Sequence, residues 1–132
     1  MDKEIVSLLK ASLDKAEDKL ETAEMLLKTK KYADAVSRAY YAAFHAAKAV
    51  LLTEGLSTNT HHGLMNLFGL HFVKTGKVGK KFGKYLNNLK DDRENSDYDI
   101  FSVIDAKVAE VAIKEAKEFV AEMQRYLKVF TK

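Results

Sequence analysis

The sequence of 132 residues contains no cysteine and no proline. Without cysteine the chain has no disulfide, no thiolate metal site and no cysteine nucleophile, and a cytoplasmic location is expected. The lack of proline, with long stretches rich in Ala, Leu, Lys and Glu, argues for an all-α protein. No apolar run approaches the roughly eighteen residues of a membrane span. The first residues also lack the basic and apolar regions of a signal peptide, so we expect no membrane segment and no export by that route.

Acidic residues are absent from the middle of the chain. The formal net charge is only +3, yet the residues from Gly55 to Lys90 include six lysines and no Asp or Glu. Such a segment is either a solvated face or an electrostatic footprint for a polyanion or an acidic partner. Lys80 and Lys81 lie in this segment, and we treat them as candidate ligand-binding residues.

Apolar residues recur at steps of three and four, which predicts four long helices and one short helix. The predicted helices cover about 2–28, 32–52, a short segment from about 61, 78–93 and 102–129. Gly55 is expected to follow the end of the second helix, and Ser102 with Asp105 to cap the last one. Because the joint at 29–31 is short, the second helix must fold back on the first. We therefore predict one domain over residues 1–132, an antiparallel four-helix up-and-down bundle with one additional short helix.

The second predicted helix is apolar on nearly every side, so it belongs in the middle of the bundle. Its polar residues share one stripe, with Asp34 and Arg38 four residues apart and His45 and Lys48 further along, beside Tyr41. One interpretation is an ion pair at the helix start with a hydrogen-bonded core histidine. The other is a functional stripe in which Arg38 binds a ligand, because burying an arginine and a histidine together requires partners.

The four histidines do not have the spacing of a metal site, because no two of them are four residues apart on a helix. His61 and His62 are expected at the start of the short helix. The glycines at 76, 79 and 83 match neither the P-loop nor the dinucleotide-binding pattern. We therefore expect no metal and no cofactor.

The clearest candidate for chemistry is Arg93. Asn95, Asp97 and Tyr98 follow it within five residues, which brings together a guanidinium, an amide and a hydroxyl. An arginine fork suits bidentate binding of a phosphate. The alternative is structural, with Arg93 paired to its acidic neighbours and Tyr98 packed over the loop.

Three stretches carry a family resemblance: YADAVSRAYYAAFHAAKAVLL, THHGLMNLFGLHFVKTGKV and RENSDYD. Together they resemble the HEPN domain, over about residues 5–130, and in particular the small stand-alone HEPN proteins encoded beside minimal nucleotidyltransferases in toxin–antitoxin-like pairs. The resemblance implies a four-helix bundle with a short extra helix, a homodimer with its clefts at the subunit interface, and binding of nucleotides or RNA.

The resemblance also assigns residues. HEPN proteins that cut RNA without metal carry an arginine, a few intervening residues and a histidine. Arg93 matches the arginine, but Tyr98 stands where the histidine is expected, and no histidine follows His71. A tyrosine near this motif is modified by the partner nucleotidyltransferase in some pairs, and Tyr98 corresponds to it. Because tyrosine is a poor general base at neutral pH, His45 is the candidate to replace the missing histidine.

Three functions follow from these observations. The first is a HEPN-type module that binds nucleotide or RNA phosphate, as a toxin–antitoxin component working with a nucleotidyltransferase partner. The second is a metal-independent endoribonuclease using Arg93, Tyr98 and His45. The third is a non-catalytic helical dimerisation or scaffold protein.

We predict that the protein is a homodimer, because a small bundle whose central helix keeps a polar stripe needs a second surface to cover it, and the resemblance implies the same. Light scattering at tens of micromolar protein should give twice the mass of one chain. A strictly monomeric mass would contradict this prediction.

Overall fold

The computed structural model describes residues 1–98 and 103–131, although for Tyr98 it describes the backbone alone. Every regular element in these ranges is helical, which confirms the predicted all-α class. No described helix is long and apolar enough to cross a membrane. The elements are α1 (Lys3–Lys28), α2 (Tyr32–Leu52), α3 (His61–Phe68) continued by a π-helical turn (Gly69–Val73), α4 (Lys80–Tyr98), α5 (Ala106–Leu127) and a final 3₁₀ turn (Lys128–Phe130).

Side-chain contacts show the directions of the long helices. Residues early in one helix meet residues late in the other for the pairs α1–α5 and α4–α5, so both pairs are antiparallel. The short joint between α1 and α2 makes these two helices antiparallel as well, and α2 is therefore antiparallel to α4. The four long helices therefore alternate up and down, as predicted, with α3 beside α2 and α4. The contacts that establish this are Glu17 with Gln124, Glu24 with Lys117, Asn88 with Glu115, and Phe82 with Phe119.

Helix α2 lies in the middle of the bundle and packs against α1, α4 and α5. Since α2 and α5 run in the same direction, they face each other across the bundle, and small side chains let the two backbones approach closely. Fully buried alanines on both helices provide this surface: Ala35, Ala39, Ala42, Ala43, Ala46, Ala47 and Ala49 on α2, and Ala109, Ala112 and Ala116 on α5.

Several helix ends are capped by side chains or by glycine. Asp2 accepts a hydrogen bond of 2.6 Å from the backbone N–H of Glu4 at the start of α1. Gly55 has φ of 68° just after α2, a conformation that glycine adopts readily. Thr60 accepts a hydrogen bond of 2.9 Å from the N–H of Gly63, and this cap places His61 at the first position of α3.

Two predicted boundaries are wrong. Helix α4 continues to Tyr98 rather than ending near residue 93, since ion pairs four residues apart, Lys90–Glu94 and Arg93–Asp97, stabilise its last turns. Helix α5 begins at Ala106 rather than near residue 102, because the carboxylate of Asp105 is itself the cap and accepts a 2.9 Å bond from the N–H of Val108. Ser102, the predicted cap, lies outside the described residues.

We expect Gly63→Ala to lower the free energy of unfolding by about 1 kcal/mol, the usual effect of losing an N-cap. A Cβ at Gly63 would lie 2.7 Å from the capping oxygen of Thr60 and still closer to Thr58. Gly69→Ala is the matched control, because no atom lies within 4 Å of its Cβ position, and it should raise the free energy by about 0.5–1 kcal/mol. Urea denaturation measures both. Equal effects of the two changes would contradict the capping role of Thr60.

Candidate functional site

Tyr40 and His61 form a partly buried hydrogen bond between α2 and α3. The Tyr40 hydroxyl lies 2.6 Å from Nδ1 of His61, and the tyrosine is completely buried. Burial raises the pKa of Tyr40 to about 12, so the phenol stays neutral even though the nearby Arg93 opposes the rise. Burial and the charge of Arg93 lower the pKa of His61, so its imidazole is neutral at pH 7.

Aromatic rings hold the imidazole of His61 in place. Its ring centroid lies 4.8 Å from that of Phe44, 5.5 Å from that of Tyr40 and 5.9 Å from that of Tyr41. All three rings come from one side of α2, at positions one turn or one residue apart. His61 is therefore held by ring contacts as well as by its hydrogen bond.

Arg93 approaches the same two tyrosines from α4. Its guanidinium carbon lies 5.3 Å from the centroid of the Tyr41 ring and 5.8 Å from that of Tyr40, within range of cation–π attraction. Its Nε forms an ion pair of 3.0 Å with Asp97, and only 16% of the side chain is exposed. The cluster of Tyr40, Tyr41, His61 and Arg93, which we call the Arg93–His61 site, thus joins α2, α3 and α4.

This arrangement combines a permanent cation with a neutral histidine. When Tyr40 donates to Nδ1 of His61, Nε2 carries the proton and donates a hydrogen bond; when Nδ1–H donates to Tyr40, Nε2 is unprotonated and can accept a proton. The second form suits a general base near neutral pH. Among the described residues there is no group of three His, Asp or Glu side chains that could hold a metal ion.

The predicted site residues around Arg93 lie in the last turns of α4. Asp97 contacts Arg93 directly, and Asn95 is exposed one turn before the helix end. The side chain of Tyr98 lies outside the described part of the chain. Arg38 is exposed on α2, one turn before Tyr41.

His45 lies on the flank of α2 that is turned towards α1, with its ring centroid 5.5 Å from that of Phe44 and 6.5 Å from that of Tyr41. Burial lowers its pKa to about 4, and the charges of Lys15, Lys48 and Lys19 act in the same direction. Two of these lysines belong to α1, so His45 faces that helix. The histidine beside Arg93 is instead His61, which comes from α3.

The predicted cationic residues lie near the other end of α4. The ammonium of Lys81 sits 5.3 Å from the ring centroid of Phe82 and 5.9 Å from that of Tyr85. Lys80 and Lys84 line a cavity between α3 and α4. They are separated along α4 from Arg93 by two turns or more.

Sequence reasoning missed Tyr40 and His61 as members of the site. The sequence contained one indication of the role of Tyr40, because a tyrosine inside an apolar helix needs a partner for its hydroxyl. His61 was expected at the start of the short helix, but its partner was not identified. No periodicity shows that the two meet, since twenty-one residues separate them.

The fold and this site define a class: an all-α bundle in which an arginine on a late helix lies beside a histidine in a partly open cluster. A family model described as "HEPN domain" matches residues 9–126. The chain belongs to the HEPN domain family, as the sequence resemblance indicated.

Two relatives agree with this assignment. "Putative toxin MJ0605" of Methanocaldococcus jannaschii is 38% identical over 97% of this chain and 95% of its own length. "UPF0332 protein PH1297" of Pyrococcus horikoshii is 37% identical over 86% of this chain and 77% of its own. The crystal structure of TT1696 from Thermus thermophilus has a TM-score of 0.78, with 21% identity over 90% of this chain and 98% of that one, and shows that the fold is shared.

We expect the stability of the protein to fall between pH 6.5 and 4, partly because of His45. In this window the unfolded state binds a proton at His45 with its ordinary pKa of 6.5, whereas the folded state does so only near 4. The contribution of the neutral His45 imidazole to the free energy of unfolding is therefore fully present above pH 6.5 and is lost as the pH falls towards 4. In His45→Gln the loss between pH 7 and pH 4.5 should be smaller, as measured by urea denaturation.

His62→Gln is the control for this measurement, because His62 is exposed on α3. Its pH dependence should match that of the wild type. An equal loss of stability in His45→Gln and the wild type would contradict the assignment to His45.

Proposed function

We propose that this protein is a toxin-type component of a two-protein system, and that the Arg93–His61 site binds the phosphate of RNA or of a nucleotide. The observation that carries the proposal is the fixed guanidinium of Arg93 beside the neutral imidazole of His61. The family and the toxin name of one relative support the same class of function.

In this proposal the neighbours of Arg93 keep its guanidinium ready for a phosphate. Asp97 binds Nε, and the ring of Tyr41 lies against the guanidinium carbon, so the planar group loses little freedom when it binds. The low exposure of the side chain strengthens its attraction for an anion. Exposed Arg38 and Asn95 would supply a second cation and an amide donor at the edge of the site.

The second component we propose is a small nucleotidyltransferase. Its substrate residue would be Tyr98, five residues after Arg93. In the transfer the phenol oxygen of Tyr98 forms a bond to the α-phosphorus of ATP and pyrophosphate leaves. Adding a charged nucleotide near Arg93 would block the phosphate site, which is the behaviour expected of an antitoxin.

A second candidate function is metal-independent cleavage of RNA, and the position of His61 favours it. The segment after Arg93 lacks the histidine of the ribonuclease pattern, but α3 supplies one beside the same arginine. The 2′-hydroxyl of RNA would attack the adjacent phosphorus while His61 accepts the hydroxyl proton and Arg93 stabilises the charge on the phosphoryl oxygens. The bond from phosphorus to the 5′-oxygen would break, and the proton held by His61 would pass to that leaving oxygen, which gives a 2′,3′-cyclic phosphate and a free 5′-hydroxyl.

We expect Arg93→Ala to weaken binding of a fluorescent RNA oligomer at low salt by about 10- to 100-fold, the usual effect of losing charged hydrogen bonds. Arg93→Lys should recover only part of the loss, because a point charge does not replace a planar fork.

His61→Gln should keep binding but abolish any cleavage in EDTA. Tyr98→Phe should abolish label transfer from radioactive ATP when a candidate nucleotidyltransferase is added.

Arg125→Ala is the matched control, since Arg125 is also paired with an acid on its own helix, Glu122, but is exposed on α5. It should bind RNA like the wild type. If Arg93→Ala binds as well as Arg125→Ala, and the wild type neither cleaves RNA nor accepts label, the phosphate-site proposal is wrong and a scaffold function remains.

A further inference from the structure

A cavity of about 350 Å³ lies between α4 and the continuous segment formed by α3 and the π-helical turn. Its volume is in the range of small-molecule sites. Apolar side chains, among them Met65, Val73 and Leu86, form its floor. Polar groups at its edge all come from α4: Lys80, Lys84 and Asn87.

The walls of this cavity contribute positive charge and no negative charge. Both walls lie within residues 55–90, the stretch that contains six lysines and no acid. Lys80, Lys84 and Asn87 are exposed, so their polar ends reach solvent at the mouth of the cavity. An apolar floor under a cationic edge suits a ligand that is flat and apolar in one part and anionic in another, as a nucleotide is.

The cavity and the Arg93–His61 site both involve α3 and α4, at different positions along these helices. Helix α3 runs antiparallel to α4, because His61 lies near Arg93 whereas Val73 packs against Gly83. Lys90 lies on α4 between the two regions and contributes to the charge around His61. The seam between α3 and α4 therefore leads from the cavity to the site.

We propose that the cavity is a subsite for an unpaired base of single-stranded RNA, which we call the base subsite, and that the strand continues along the α3–α4 seam to Arg93. This inference rests on the proposed function. The base lies on the apolar floor, the amide of Asn87 bonds its edge, and Lys80 and Lys84 bind the flanking phosphates. A base in a duplex is paired and stacked, so it does not enter such a cavity.

The distance along α4 between the base subsite and Arg93 sets the length of RNA that can reach both. Lys84 and Lys80 are nine and thirteen residues before Arg93, which is about 13 to 20 Å along α4. At a rise of about 3.4 Å per nucleotide, this distance corresponds to about four to six nucleotides. A dinucleotide that occupies the Arg93–His61 site therefore does not reach the base subsite, whereas an oligomer of about eight nucleotides does.

Gly69 offers a way to block the base subsite without damaging the fold. It lies on the same face as Met65 and Val73, and no atom is within 4 Å of the position of a Cβ there. Its backbone is helical, with φ of −60°, so other residues fit without strain. Gly69→Leu fills the cavity, and Gly69→Ala is the control that adds a single carbon.

The experiment measures binding of an oligouridylate of about eight nucleotides by fluorescence anisotropy, and of the dinucleotide uridylyl-uridine by shifts of the His61 NMR signal. Gly69→Leu should weaken oligomer binding about tenfold, in the range found when base stacking is removed, and leave the dinucleotide unaffected. In Lys80→Gln/Lys84→Gln the slope of log affinity against log salt should become shallower by about 1.4. Lys10→Gln/Lys114→Gln, with the same charge change on exposed sites, should keep the slope.

The outcomes separate the two proposals. If Arg93→Ala weakens both ligands but Gly69→Leu and the Lys80/Lys84 variant bind the oligomer like the wild type, the base subsite is wrong and the proposed function stands. If Arg93→Ala affects neither ligand, the proposed function is wrong and the base subsite falls with it. Two further results would overturn the base subsite. One is that the oligomer and its blunt duplex bind equally well. The other is that the lysine variant binds polyglutamate more weakly than the wild type does but binds RNA equally well. Circular dichroism checks that Gly69→Leu keeps the helical fold, and the lysine variant tests the base subsite independently of that substitution.

Discussion

The hydrogen bond between Tyr40 and His61 is the constraint on which the site depends. Helix α2 is buried on nearly every side, and Tyr40 is completely buried within it. The hydroxyl of Tyr40 therefore has no water to bond. An unsatisfied buried hydroxyl would cost about 1–3 kcal/mol, and Nδ1 of His61 satisfies it at 2.6 Å. The bond ties the first residue of α3 to the central helix, and the Thr60 cap fixes where that helix begins.

Arg93 is the charged member of the cluster, whereas the side chains of Tyr40 and His61 are neutral. Burial keeps the phenol of Tyr40 protonated and the imidazole of His61 neutral, while the guanidinium stays cationic and lies against the tyrosine rings. The ion pair with Asp97 orients the guanidinium and extends α4 beyond its expected end. A single local interaction therefore affects both the length of the helix and the geometry of the site.

Membership of the HEPN family makes the position of the histidine informative. In the ribonuclease pattern that the sequence resemblance implied, the histidine follows the arginine on the same segment, whereas here the histidine near Arg93 comes from α3. Under our proposal this protein keeps the arginine–histidine pair, but its histidine comes from α3, in the wall of the α3–α4 seam. The cavity on the same seam is lined by Lys80 and Lys84 of the acid-free stretch, so under our two proposals α4 would carry the phosphate site near its end and the base subsite near its start.

Periodicity and capping residues determined the all-α class, the central place of α2 and most helix starts, because these depend on interactions within a few residues of the chain. Arg93, Asp97 and the cationic stretch were recognisable for the same reason, since their chemistry is local. The bounds of α4 and α5 were wrong, because ion pairs and an aspartate cap outweighed the turn-like composition between them. His61 was noticed but given no role, and His45 was preferred because it shares a stripe with Arg38. Only tertiary packing decided which histidine meets Arg93: the turn of α3 back along α4 brings His61 to Tyr40 across twenty-one residues, a distance that no helical period encodes.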